Sequence, residues 1–299
     1  MQYGPVNDFP LSNRIVLITG GGSGIGLAFA QLCCKAGARV IIADLKLTAD
    51  AQNFIDTTDS SKVIFQKCDV SSWTDLHDSI TASVTAFGDV PDIYAPVAGI
   101  FEPPWSNFWD DSEETSYKTI EINVNHPIKL TRLAMRALLG AKKQGVVCLV
   151  ASTAGIRGNY LASLYSASKH AIVGFTKSMG QADPDEGVRV VCVLPGLVDS
   201  PLWRSREDDM FARAKFNERQ AIVPGDVAGV MVRMVEGGGG EYSGGTCVLK
   251  TPLEERVVEK GWRGGEEGYD PSPRPEADIQ RVRVALDGER GVKWVGRES

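Results

Sequence analysis

The chain has 299 residues, 43% of them hydrophobic and 23% charged, a balance that suits a water-soluble globular domain with a sizeable core. Its net charge of -6 lacks the basic excess of a nucleic-acid binder, and no apolar run reaches the roughly 18 residues that cross a bilayer. The opening MQYGPVNDFPLSN has neither the basic flank nor the apolar stretch of a secretory signal, so a cytoplasmic protein with no nucleic-acid or membrane partner is expected. Six cysteines (Cys33, Cys34, Cys68, Cys148, Cys192, Cys247) form no C-x-x-C pair and read as reduced thiols. His77, His126 and His170 stand apart from one another; no metal site is expected, and no role attaches to any of the three.

Arg14 to Thr19 is a short apolar run that breaks into glycines, the pattern of a buried strand and a tight turn. A helix follows over 26–36 and ends at Gly37. Further strands are expected at 39–44, 63–68 and 92–98, with a helix over 73–87 whose cap is Ser71 or Ser72. A long helix is expected over 113–140, then a strand at 145–151, a helix over 160–179 and strands at 188–194 and 246–249. The strands are continuous apolar runs rather than alternating ones, as expected when both sheet faces are covered. The expected fold is α/β: a single doubly wound, Rossmann-type parallel sheet of about seven strands flanked by helices, over residues 1–250. Residues 235–245 form a glycine-heavy connector before the last strand. In 250–299, 21 of 50 residues are charged, so 251–299 is read as a charged, partly ordered extension, with Trp262 and Trp294 available to dock on the domain or a neighbouring subunit.

Thr19 to Gly26, TGGGSGIG, joins the first strand to the first helix. Glycines without Cβ atoms let the backbone approach a pyrophosphate, and the helix start offers free N–H groups and partial positive charge. A glycine cluster alone is a weak signal. Between a buried strand and a helix, with Asp44 closing the next strand, it points to a dinucleotide. A carboxylate at Asp44 accepts from ribose hydroxyls and repels a 2′-phosphate, and the turn carries no Arg or Lys, so NAD is expected over NADP.

Ser152 closes the fifth strand, and Tyr165 and Lys169 share one helix face at i and i+4. A phenol with a pKa near 10 is a poor base at neutral pH, and a nearby ammonium lowers that value. The tuned phenol can exchange a proton with a substrate oxygen that Ser152 holds, while hydride moves to or from a nicotinamide.

On TGGGSGIG, Asp69-Val70, Ala98-Gly99, Asn123, Ser152, YSASK (165–169) and Pro195-Gly196 with Val198 and Ser200, residues 12–250 resemble the short-chain dehydrogenase/reductase family, most nearly its fungal secondary-alcohol and 15-hydroxyprostaglandin dehydrogenase-like members. The resemblance implies a catalytic set of Asn123, Ser152, Tyr165 and Lys169. It implies a cofactor site of Gly20, Ser23, Gly24, Ile25, Gly26, Asp44, Asp69, Val70, Ala98, Gly99, Tyr165, Lys169, Pro195, Gly196, Val198 and Ser200, and assembly as a homodimer or homotetramer. One departure is plain: Pro96-Val97 stands where the family usually has Asn-Asn. Two aromatic segments, 101–109 and 203–216 (with Trp203, Met210, Phe211 and Phe216), read as walls or a lid for a bulky, largely apolar alcohol or ketone; an amphipathic surface helix is the competing reading. An NADPH-dependent biosynthetic ketoreductase and a non-catalytic dinucleotide sensor are the alternative functions.

Overall fold

The computed structural model describes residues 4–103, 106–109, 111, 113–114, 116–204, 221–238, 240–258 and 276–296. The sheet elements are β1 (Ile15–Thr19), β2 (Arg39–Asp44), β3 (Val63–Lys67), β4 (Ile93–Pro96), β5 (Gly145–Val150), β6 (Val188–Pro195), β7 (Cys247–Lys250) and β8 (Glu255–Val258). They form one eight-stranded sheet in the order β3-β2-β1-β4-β5-β6-β7-β8. All pairs are parallel except β7 with β8, which is antiparallel at the edge. The order reverses between β1 and β4. In such sheets the crevice beyond the carboxyl ends of the strands at that point receives ligands.

Each continuous apolar strand divides its side chains between two cores, because successive residues face opposite sides. Ile15 and Leu17 of β1 enter one core with Ile41, Val147 and Leu149; Val16 and Ile18 enter the other with Ile42, Val146 and Cys148. Helices α1 (Gly24–Lys35) and α9 (Pro224–Glu236) cover the second core, while α3 (Trp73–Phe87), α5 (His126–Gly140) and α6 (Ser163–Ser178) cover the first. Short helices α2 (Ala49–Thr57), α4 (Lys118–Ile120), α7 (Ala182–Glu186) and α8 (Pro201–Arg204) complete the main layers, and α10 (Glu276–Asp287) follows them in the chain.

The expected helix over 113–140 is interrupted. Residues 113–114 and 116–117 are not helical, and a π-helical turn, Glu121–Asn125, separates α4 from α5. Several described elements, among them α2, α7, α9, β8 and α10, had no counterpart in the sequence reading. In α2 only Ala51 is fully buried, with Phe54 and Ile55 packed half-buried against the second core, and Thr48 caps it by accepting from the Ala51 N–H. Helix α9 has a regular buried stripe at Val227, Val230, Met231 and Met234, a 3.6-residue signal present in the sequence. Strand β8 is mostly exposed, and α10 is strongly polar.

Part of the charged C-terminal segment is docked. Leu286 is buried in the first core. Arg132 grips Glu289 with two bonds of 2.8 and 2.6 Å. The Trp294 ring stacks on His77 at 4.5 Å, and its N–H donates to Thr81 Oγ1 at 3.1 Å. Trp262 lies outside the described residues.

Candidate active site

A groove of about 320 Å³ opens beyond the carboxyl ends of the parallel strands. Gly20, Ser23, Gly24, Ile25, Gly26, Asp44, Asp69, Val70, Ala98, Gly99, Ser152, Tyr165, Lys169, Pro195, Gly196, Val198 and Ser200 all line it. Asn123 lies buried behind the wall.

Glycines form one end of the groove. Gly20 has φ +71°, and a Cβ there would lie 2.6 Å from the Ala98 backbone. A Cβ on Gly26 would lie 2.1 Å from the Gly20 carbonyl oxygen, so α1 starts directly beneath the turn only because position 26 has no side chain. The N-cap of α1, Ser23, makes no side-chain capping bond, and the first turn carries no acidic residue. By contrast, Thr48 caps α2 and Ser72 caps α3. The start of α1 therefore presents N–H groups toward the groove without a side-chain acceptor, which suits an anionic phosphate.

Asp44 stands beside this turn. One carboxylate oxygen accepts from the Gly22 N–H at 2.9 Å, which fixes its orientation at the groove edge. Asp69 accepts from the backbone and hydroxyl of Ser71 at 2.9 and 2.7 Å. On the opposite wall, the Gly196 N–H donates to the Lys250 carbonyl at 2.8 Å, tying the Pro195-Gly196 turn to β7.

The other end is built from side chains. The Ser152 hydroxyl caps the turn at Thr153–Gly155 by accepting from the Ala154 N–H at 3.2 Å. Tyr165 is buried in the first turns of α6, and burial pushes its phenol up to about 12 while the hydrogen bond from Ser152 pulls it down. Lys169, one turn on, lies 5.5 Å from the centre of the Tyr165 ring and donates to the Val150 carbonyl at 3.1 Å. Burial brings its ammonium down to about 8. The spacing alone predicts a phenol lowered by its lysine. In the structure the phenol is raised instead: desolvation dominates, and the opposing pull comes from the Ser152 hydroxyl rather than from Lys169.

Asn123 sits in the π-helical turn. Its carboxamide accepts from the Ile100 N–H at 2.9 Å and donates to the Ile100 carbonyl at 2.8 Å and to Ser168 Oγ at 3.2 Å. Gly99 fills the gap between them: a Cβ there would lie 3.2 Å from Asn123 Oδ1 and 3.7 Å from Lys169 Nζ.

The family model described as short chain dehydrogenase matches residues 14–210. The chain belongs to the short-chain dehydrogenase/reductase family, whose members are oxidoreductases using a nicotinamide dinucleotide, NAD or NADP. Similar proteins include galactitol 2-dehydrogenase of Agrobacterium fabrum, 30% identical over 75% of this chain and 84% of that protein. (+)-Borneol dehydrogenase 2 of Salvia officinalis is 34% identical over 64% of this chain and 67% of its own length. Short-chain dehydrogenase reductase 3a of Arabidopsis thaliana is 30% identical over 94% and 96%. A crystal structure described as a glucose/ribitol dehydrogenase of the same family, from Brucella melitensis, shares the fold with a TM-score of 0.67 at 24% identity, covering 81% of this chain and 97% of that one.

Several groove residues of this family member escaped the sequence reading. Leu45, Cys68, Ile122 and Leu202 add apolar wall. Their positions next to Asp44, Asp69, Asn123 and Pro201 were the available signal. At the mouth, the Phe101 ring lies 4.8 Å from both the Tyr165 and Trp203 rings. Glu102, also buried, accepts from the Tyr165 N–H at 2.6 Å and so holds the first turn of α6. Met210, Phe211 and Phe216 of the expected lid lie outside the described residues. Among the described residues no helix is long and apolar enough to cross a membrane.

Proposed function

We propose that the protein interconverts a secondary alcohol and a ketone on a bulky, largely apolar small molecule, with NAD as its cofactor. The observation that carries this reading is the continuity of one groove: it begins at the uncapped start of α1, passes Asp44, and ends where Ser152, Tyr165 and Lys169 meet. The phosphates would lie against the N–H groups at 24–26, with Gly20 and Ser23 beside them, and the adenosine ribose against Asp44. Asp69 and Val70 would border the adenine, while Ala98, Gly99, Pro195, Gly196, Val198 and Ser200 would enclose the nicotinamide end. When bound, the dinucleotide accepts or supplies the hydride.

The protein's own part is proton handling and positioning. At neutral pH the buried phenol of Tyr165 is protonated and the Lys169 ammonium, near 8, carries most of its charge. Tyr165 would give its proton to a ketone oxygen or, as its phenolate, take one from an alcohol, while the Ser152 hydroxyl holds that oxygen. Lys169 stabilises the phenolate form by its charge. Asn123 would support a proton path toward Lys169. NAD is preferred because the Asp44 carboxylate repels a 2′-phosphate. The Phe101 ring against Tyr165, with the Trp203 ring against Phe101, favours an apolar substrate, as does similarity to a borneol dehydrogenase. The galactitol relative favours polyols as a second class.

We further propose a cytoplasmic homodimer or homotetramer, checked by light scattering. The test of function is a screen of cyclic and aliphatic secondary alcohols, polyols and ketones with NAD(H) and NADP(H), read by nicotinamide absorbance. Turnover of apolar alcohols with NAD is expected. NADH binding without turnover of any compound would point to a sensor instead.

A further inference from the structure

Between the glycine turn and Asn123 lies a histidine to which the site as described gives no task. His126 is 1% exposed. Its Nδ1 lies 3.1 Å from the Ile122 carbonyl oxygen and its Nε2 lies 2.9 Å from Thr19 Oγ1. A carbonyl only accepts, so Nδ1 bears the proton; Nε2 is then the acceptor and the Thr19 hydroxyl donates to it.

Both partners need this ring. In the π-helical turn the His126 N–H reaches five residues back to the Glu121 carbonyl. The next residue, Pro127, has no N–H to offer. The Ile122 carbonyl thus loses its usual helical donors, and the imidazole supplies one. Thr19 is fully buried at the end of β1, where its carbonyl accepts from the Val97 and Ala98 N–H groups at 3.1 and 2.9 Å. The adjoining Pro96-Val97 dipeptide offers no polar side chain, so the Thr19 hydroxyl turns to His126. Burial and the neighbouring Lys169 charge hold the imidazole down at about 4, neutral through the physiological range.

We infer that His126 is a positioning residue that joins the glycine turn to the Asn123 turn, so that one buried side chain sets the two ends of the groove relative to each other. The inference rests on the proposed roles of residues 20–26 and Asn123.

The test uses the full chain with Thr19→Ser, Thr19→Val, His126→Phe and the Thr19→Val/His126→Phe double variant. Readouts are the NADH dissociation constant by fluorescence, kcat on the best compound from the screen, and hydrogen exchange of the amides at 121–126. Thr19→Ser keeps the hydroxyl and is expected to match the parent. Thr19→Val and His126→Phe are each expected to weaken NADH binding and lower kcat by about tenfold, with the double variant no worse than the poorer single one. Exchange at 121–126 is expected to quicken about tenfold in both single variants. Effects that multiply in the double variant, or exchange at 121–126 equal to the parent, overturn the inference. If His126→Phe does not fold, the Thr19→Val and Thr19→Ser pair decides alone through the same readouts. If the parent binds no NADH, the cofactor reading fails, and the exchange measurement still decides the bracing.

Discussion

The two ends of the groove are made differently. The end beneath the glycine turn is almost entirely backbone: Gly20 in a left-handed conformation, Gly26 against the Gly20 carbonyl, and a helix start without a side-chain cap. The end around Tyr165 is made of side chains from the turn after β5, the π-helical turn and α6, and segments far away in sequence hold it: Ile100 grips the Asn123 carboxamide and Glu102 accepts from the Tyr165 backbone N–H. A backbone site tolerates no added bulk but asks little of distant packing. A side-chain site survives substitution structurally yet loses function with a single atom.

That contrast can be broken at either end. The largest effect is expected from Tyr165→Phe, which removes one oxygen: turnover should fall by at least two orders of magnitude with NADH affinity within a few-fold of the parent. Steady-state kinetics and fluorescence titration check this, and full activity would remove Tyr165 from the proposed role. Gly26→Val should do the reverse. Its Cβ would sit 2.1 Å from the Gly20 carbonyl oxygen, so NADH binding should drop more than tenfold by the same titration. Asp44→Ala should narrow the preference for NAD over NADP by about tenfold in kcat/KM, since a repelling charge is gone; an unchanged ratio would deny the carboxylate that part.

The pH profile sharpens the side-chain end. In the proposed reaction, ketone reduction would need a protonated phenol and a charged lysine, and the lower of the two values is that of Lys169, at about 8. The reductive kcat/KM should be level below that value and fall as the pH rises through it, because the ammonium is lost first. In Lys169→Arg whatever activity remains should lack that limb, since guanidinium stays charged. The smallest effect belongs to the docked C-terminal segment. Trp294→Ala removes the stack on His77 and the bond to Thr81, on α3, and should lower Tm by a few degrees with kcat unchanged.

Much of the architecture could be read along the chain. The apolar runs at 15–19, 39–44, 145–150 and 188–195 are strands because a run buried on both faces has no polar alternation to keep. What escaped notice has specific causes. Helix α2 is short, with only Ala51, Phe54 and Ile55 for a stripe, and β8 pairs only as an exposed edge. The break in the expected 113–140 helix leaves no mark in the apolar spacing, although Asn123, Val124 and Asn125 are modest helix formers; the extra residue in that turn is accommodated by the His126 N–H reaching the Glu121 carbonyl while its ring serves the Ile122 carbonyl. No spacing rule pairs Thr19 with His126, 107 residues away.

Local chemistry by itself determined the glycine turn, the acidic end of β2, and Tyr165 and Lys169 on one helix face, since each depends on neighbours within a few residues. The meeting of Ser152 with Tyr165, the Asn123 grip on Ile100, the Thr19–His126 link and the docking of Leu286 and Trp294 were decided only by the tertiary structure. Those contacts exist because the sheet and helices bring distant segments together, and a buried polar group takes whichever partner that packing leaves within reach.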